Sequence, residues 1–196
     1  MKPTEELMQE HNTILQMLTI LERTCGMLDT GFEIDAHDLQ KMLEFLKVFG
    51  DGCHHAKEEQ GLFPALEQSG IPRDHGPIGI MLAEHDLGRK YFRGMSDALK
   101  ESLAGNKPWH RSGVFSKNAR AYAILLRAHI EKENKILFPM ADVALTKERQ
   151  TELSREFKRF ELERIGPEKH EALHALLQDL KAAYLPKSDP IEPRAQ

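Results

Sequence analysis

Apolar residues along this chain return every three or four positions, not every two. Leu7, Ile14, Leu18, Leu21 and Leu28 mark one such stripe, and that period predicts a helix from about Thr4 to Leu28. Asp35 suits the N-cap of a second helix, with Leu39, Leu43, Leu46, Gly50, His54 and Glu58 along one face. Pro64 bends or ends it, because proline lacks the backbone donor and crowds the preceding turn. The stretch from Gln68 to Gly76 is a loop by composition. Pro77 suits the first turn of a third helix running to about Leu103, with Met81, His85 and Tyr91 or Phe92 inward. A break at Gly105–Pro108 precedes a fourth helix, from about Arg111 to Phe138. Its inward stripe carries Ala119, Tyr122, Leu125 or Leu126, His129 and Glu133.

After Pro139 the pattern stays helical, and Gly166-Pro167 divides it into segments near 147–165 and 167–184. The final stretch, 185–196, has three prolines and few apolar groups, a composition that predicts disorder. No period-two run is long enough to propose a sheet. Four long helices with short connections predict an all-α fold: an up-down-up-down four-helix bundle over residues 1–145. The additional C-terminal helices, over 146–184, are expected to cover the bundle or to pair with a second subunit as a homodimer.

Composition narrows the function classes. The 196 residues are 40% hydrophobic and 30% charged, as a globular protein with a charged shell requires. The net charge of −4 offers no basic field for nucleic acid. No apolar run reaches the length of a membrane span. Two cysteines, Cys25 and Cys53, are too few for a disulfide framework or a zinc ribbon. Nothing at the start of the chain resembles a secretion signal, so a reducing cytoplasm is the expected setting.

One motif changes the picture. His54-His-Ala-Lys-Glu58-Glu-Gln-Gly-Leu-Phe63-Pro64 recurs 75 residues later as His129-Ile-Glu-Lys-Glu133-Asn-Lys-Ile-Leu-Phe138-Pro139. Before each copy stands a Glu-His pair, Glu10-His11 and Glu84-His85. A four-residue step turns about 400° around a helix, so His54 and Glu58 share one face, and so do His129 and Glu133. His11 and His85 lie near the starts of helices one and three. The two His-x-x-x-Glu pairs lie near the ends of helices two and four. In an up-down-up-down arrangement these positions meet in one layer.

A lone inward histidine is ordinarily a satisfied core residue. Four in register with two glutamates point instead to metal. Two buried carboxylates would be very costly without cations. Four His and two Glu exceed one tetrahedral zinc. They suit two ions bridged by carboxylates, and dinuclear iron or manganese fits best, with zinc possible.

At these residues the chain resembles hemerythrin-like proteins of the bacterial class marked by His-His-Glu cation-binding motifs. The resemblance covers about residues 4–140. It implies a four-helix bundle around a non-haem di-iron centre, held here by His11, His54, Glu58, His85, His129 and Glu133. It also implies a small diatomic ligand or peroxide: dioxygen, nitric oxide or peroxide, handled in sensing, detoxification or iron-centre repair. Non-catalytic metal binding or iron storage is the alternative. Two departures stand out. Met81 occupies the position of a further histidine found in oxygen carriers. The last ligand is Glu133, four residues after His129, where the carriers have an aspartate five residues after. Both put reversible oxygen carriage in doubt.

Other residues stay open. Tyr122 shares a face with His129 and is a candidate contact to the cofactor or a core tyrosine. Gly50 leaves room for an exogenous ligand or merely permits close packing. His55 and Glu59 form a parallel pair rotated about 100° from His54 and Glu58. The Phe63-Pro64 register selects His54 as the ligand and leaves His55 as an outer partner at the cofactor or an interhelical contact. The Leu-Phe-Pro repeats are read as packing and helix-ending elements, Cys25 and Cys53 as packed thiols. His75, His110, His170 and His174 are read as surface residues.

Overall fold

The computed structural model describes residues 1–105 and 113–185, and among them every regular element is helical. The first helix, α1, spans Pro3–Asp29. Its opening turn has Pro3 at the first position, where a missing N–H costs nothing. Glu5 accepts from the Lys2 backbone N–H at 2.9 Å. The second rod begins as α2, Ala36–Phe45, capped by Asp35, whose carboxylate accepts from the His37 N–H at 2.9 Å. It widens into π-helical turns at Leu46–His55 and Glu58–Leu62, then closes as α3, Phe63–Gln68. Thus Pro64 does not end the rod. It sits in the first turn of α3, where no backbone donor is needed.

The third rod is α4, Pro77–Gly105. The fourth is α5, Val114–Lys132, followed by a π-helical turn at Glu133–Leu137 and by α6, Phe138–Ala144. Two further helices follow: α7, Lys147–Arg164, capped by Thr146, and α8, Pro167–Tyr184. Of the expected 185–196 tail only Leu185 is described. His110 and the 106–108 break also lie outside the described residues.

Contacts between rods run in opposite directions. Along α1, residues 4, 11, 19 and 29 meet Asp142, Asn134, Arg127 and Arg120. Glu10 and Thr24 meet Lys57 and Met42 of the second rod. Between that rod and α4, Glu59 meets His85 and Asp51 meets Arg89.

The core has two apolar clusters. One gathers Ile14, Leu18, Phe49, Leu126 and Ile130 with Leu173, Leu177 and Leu180 of α8. The other gathers Leu7, Leu62, Phe63, Met81, Leu137 and Phe138 with Leu153 and Phe157 of α7. The C-terminal helices therefore complete the core and do not stand apart from it. Gly61 shows how closely α7 sits: a Cβ there would lie 2.9 Å from the Phe157 ring. Because Leu177 is 1% exposed, Leu177→Ala should cost about 2–5 kcal/mol in urea unfolding. A cost near zero would mean that α8 is not part of the cooperative core.

On each rod the change from one cluster to the other falls at the same level. Leu7 and Ile14 flank His11, Phe49 and Leu62 flank His54 and Glu58, and Ile130 and Leu137 flank Glu133. A polar layer is thus held between two apolar ones.

Candidate metal centre

Six buried residues meet in that layer. His11, His85, Glu58 and Glu133 are fully buried, and His54 and His129 are 1% exposed. Glu58 reaches two histidines on different rods, with Oε1 3.4 Å from His54 Nε2 and Oε2 3.4 Å from His85 Nε2. Glu133 does the same, its Oε2 lying 3.1 Å from His11 Nε2 and 3.2 Å from His129 Nε2. Each carboxylate therefore spans the two halves of the repeat. His11 and His54 have ring centroids 4.6 Å apart, and His85 and His129 4.7 Å, both edge to face.

The aimed atoms lack hydrogen-bond partners. Both oxygens of Glu58 and of Glu133, together with His11 Nε2 and His54 Nε2, are buried and unsatisfied despite their closeness. Buried polar groups are almost always paired. Six unpaired ones converging on one point form a donor set whose chemistry fits a cation. His85 Nε2 and His129 Nε2 face one another at 3.1 Å.

Titration behaviour follows. Burial, and then the charge of Glu133, holds the Glu58 carboxyl well above the usual carboxylate range. Burial would also raise Glu133, but His129 and His11 outweigh it and hold it low. Burial opposes the charging of His129, yet Glu133 and Glu84 raise it to about 9. Burial, and then His11, hold His54 well below the ordinary imidazole value.

Outside this ring of donors the repeat supplies a second ring. His54 Nδ1 donates to Glu10 at 2.8 Å, and His129 Nδ1 donates to Glu84 at 3.0 Å. His11 Nδ1 donates to Asn134 at 2.8 Å, and His85 Nδ1 to Glu59 at 2.7 Å. Each bond turns Nδ1 outward and aims Nε2 at the centre. Lys57 holds Glu10, and Lys132 holds Glu84. Phe138 stacks on His11 at 5.3 Å and Phe63 on His85 at 5.9 Å. Lys57/Lys132, Glu58/Glu133, Glu59/Asn134 and Phe63/Phe138 are equivalent positions of the repeat.

The Leu-Phe-Pro elements therefore brace ligand rings as well as pack. The glutamates of the two Glu-His pairs went unassigned in the sequence because each serves a neighbouring helix. A residue next to a ligand points about 100° away from it. Glu10→Gln with Glu84→Gln should weaken metal binding roughly 10- to 100-fold, measured by competition with a chelator. Unchanged affinity would show that these bonds do not tune the donors.

His55 makes an interhelical contact, one of its two expected roles. Its ring is 4% exposed and stacks on His85, with centroids 3.9 Å apart. It joins Glu58, His85 and His129 in a group whose ligand atoms lie within 4.8 Å of one another, a set separate from His11, His54, Glu58 and Glu133. Its Nδ1 donates to Asp51 at 3.2 Å, and Arg89 ties Asp51 to Glu59. The π-helical turn ends at His55, and a wider turn takes an extra residue, so both adjacent histidines face the polar layer. The equivalent position in the second copy is Ile130, so the two halves differ.

Tyr122 lies in the apolar core beside Gly88, and burial pushes its phenol pKa up. Met81 sits in the apolar cluster beyond the polar layer. Cys53 and Cys25 are buried free thiols, raised by burial to about 12 and 11. His170 and His174 are half-buried and pack against Phe49, whereas His75 is exposed.

The hemerythrin HHE cation-binding domain matches residues 2–141, most of the chain. The chain belongs to the hemerythrin HHE cation-binding family. Among its relatives is the iron-sulfur cluster repair protein YtfE of Edwardsiella ictaluri. It is 30% identical over 136 residues, which are 68% of this chain and 60% of that protein. An uncharacterized protein of Mycobacterium tuberculosis is 25% identical over 135 residues, 69% of this chain and 51% of that protein. The chain thus spans half to three-fifths of the length of these curated relatives. Among the described residues no helix is long and apolar enough to cross a membrane.

Proposed function

We propose that this hemerythrin-family chain holds a non-haem di-iron centre and that the centre binds or reacts with dioxygen, nitric oxide or peroxide. The observation that carries this reading is the set of buried, unpartnered donors. It supports His11 and His54 as terminal donors to one ion, and His85 and His129 to the other. Glu58 and Glu133 would supply carboxylate oxygens to both. His55 would add a donor on the His85 and His129 side only, since Ile130 stands at its equivalent position. The opposed helix contacts support an up-down-up-down four-helix bundle over residues 1–145, closed by the 146–184 extension. Free, buried thiols are compatible with a reducing cytoplasm. Manganese and zinc suit the same donors.

When bound, a pair of iron ions supplies redox and Lewis-acid chemistry toward small oxidants. The chain's own residues determine the rest. Glu10, Glu84, Glu59, Asn134 and Asp51 hold the imidazoles in one tautomer. Phe63 and Phe138 limit ring rotation. The two apolar clusters exclude water above and below the centre. The name of the YtfE relative favours repair of iron centres among the possible roles.

A second reading, metal binding or iron storage without turnover, is favoured by the near-complete burial of all six donors. Anaerobic loading with ferrous iron should give about two ions per chain. Hydrogen peroxide or nitric oxide should then change an iron-dependent visible absorption. Iron at background level would sink the di-iron reading. Two ions with no optical response and no turnover would favour storage.

A further inference from the structure

A cavity of about 400 Å³ lies between the second rod and α4, and its inner end is walled by His55, Gly88 and Tyr122. A diatomic ligand needs no such volume. The lining therefore bears on what else approaches this side of the protein.

The wall changes character along its length. At the inner end, Asp51 and Arg89 neutralise each other through a 2.8 Å contact and are further tied to His55 and Glu59. Leu46, buried, and Phe92, half-buried, give an apolar stretch of wall. Lys47, Arg93 and Lys100 line the same cavity at its exposed rim. Those three cations are exposed, and no ion pair or hydrogen bond ties them to any described residue. One carboxylate, Asp97, faces them. Along α4, Arg93 lies about 6 Å and Lys100 about 16 Å beyond Arg89, so Lys100 is the cation farthest from the His55 end. The pattern is a buried wall, part polar and part apolar, beneath an exposed cationic rim.

We propose that this cavity binds an organic monocarboxylate with an apolar body. Its carboxylate would rest among Lys47, Arg93 and Lys100. Its chain would lie over Leu46 and Phe92, pointing toward Tyr122 and His55. An inorganic anion would use the cations but not the apolar stretch. A neutral alcohol would use the stretch but not the cations. The proposed binding does not depend on the metal reading. That reading adds only that the far end of the bound chain faces the His55 half of the centre.

Calorimetric titration of the full chain with octanoate tests this, in metal-loaded and metal-free samples whose iron content is measured separately. Saturable one-to-one binding is expected in both, weakening as salt rises because the cations are exposed. Phosphate and octanol should each bind roughly tenfold more weakly or less. Arg93→Glu with Lys100→Glu should lower octanoate affinity by about tenfold. Ser96→Trp should block the cavity, since Ser96 lines it. Both variants should keep the wild-type metal content and helical signal. No octanoate binding by the wild-type chain would overturn the proposal. So would phosphate binding as tight as octanoate, or variants that keep full affinity. Iron absent but octanoate bound would sink the di-iron reading and leave this one standing.

Discussion

Replacing Glu58 and Glu133 together by glutamine will remove the metal-dependent part of this protein's stability and leave the metal-free chain no weaker. Both side chains are fully buried, and none of their four oxygens has a hydrogen-bond partner. Without a cation, Glu58 is driven toward its neutral form, so an amide of the same shape changes little there. Glu133 keeps its charge through His129 and His11. With Gln in place of Glu133, burial favours the neutral form of His129, so no charge is left buried without a partner. With iron present the balance reverses. Metal at a thousandfold excess over its dissociation constant adds about 4 kcal/mol of stability. In a chain of this size that corresponds to roughly 8–16 °C in melting temperature. The wild type should show that rise on loading and the double variant none, with metal content near zero. A variant that still binds two ions, or one that is much less stable without metal, would contradict the assignment.

Substituting the lysines of the two repeat copies should have very different consequences. Lys57 has no exposed surface and donates to Glu6 at 2.8 Å, to Glu10 and to Glu161 of α7 at 3.2 Å. Its pKa is raised: burial opposes the charge, and Glu10 and its neighbours outweigh burial. Lys57→Met leaves several carboxylates crowded without a cation and should cost about 3–5 kcal/mol in urea unfolding. Lys132 stands at the equivalent position, but its side chain is 37% exposed and bonds Glu84 alone. Lys132→Met should cost at most about 1 kcal/mol. Equal costs would refute the idea that α7 turns one copy of the repeat into a structural anchor. The contrast is testable without metal, and it separates the stability role of the outer ring from its effect on the donors.

The sequence carried most of the donor set because its signals are local and repeated. Helical period placed His54 with Glu58 and His129 with Glu133 on common faces, and the repeat aligned the two pairs. The same repeat also contained Glu10, Glu84, Lys57 and Lys132. Their partners are on other helices, and periodicity within one helix says nothing about which neighbour lies opposite. Two roles stay open for His55 in the sequence for a related reason: a regular α-helical turn sets it about 100° from His54, and the rod is π-helical at that place. Pro64 and Pro139 were read as bends or ends because proline disrupts a helix interior. Both instead open short helices just past a π-helical turn.

By itself the sequence determined that this protein is helical, where its first three long helices begin, and that buried His and Glu recur in register. Those features follow from side-chain period and capping within single segments. The tertiary structure alone decided which carboxylate holds which imidazole, that His55 stacks on His85, and that α7 and α8 close the core. It also decided that a cavity with a cationic mouth reaches His55. These depend on the distance and rotation between packed helices, and side chains from all the rods set those together.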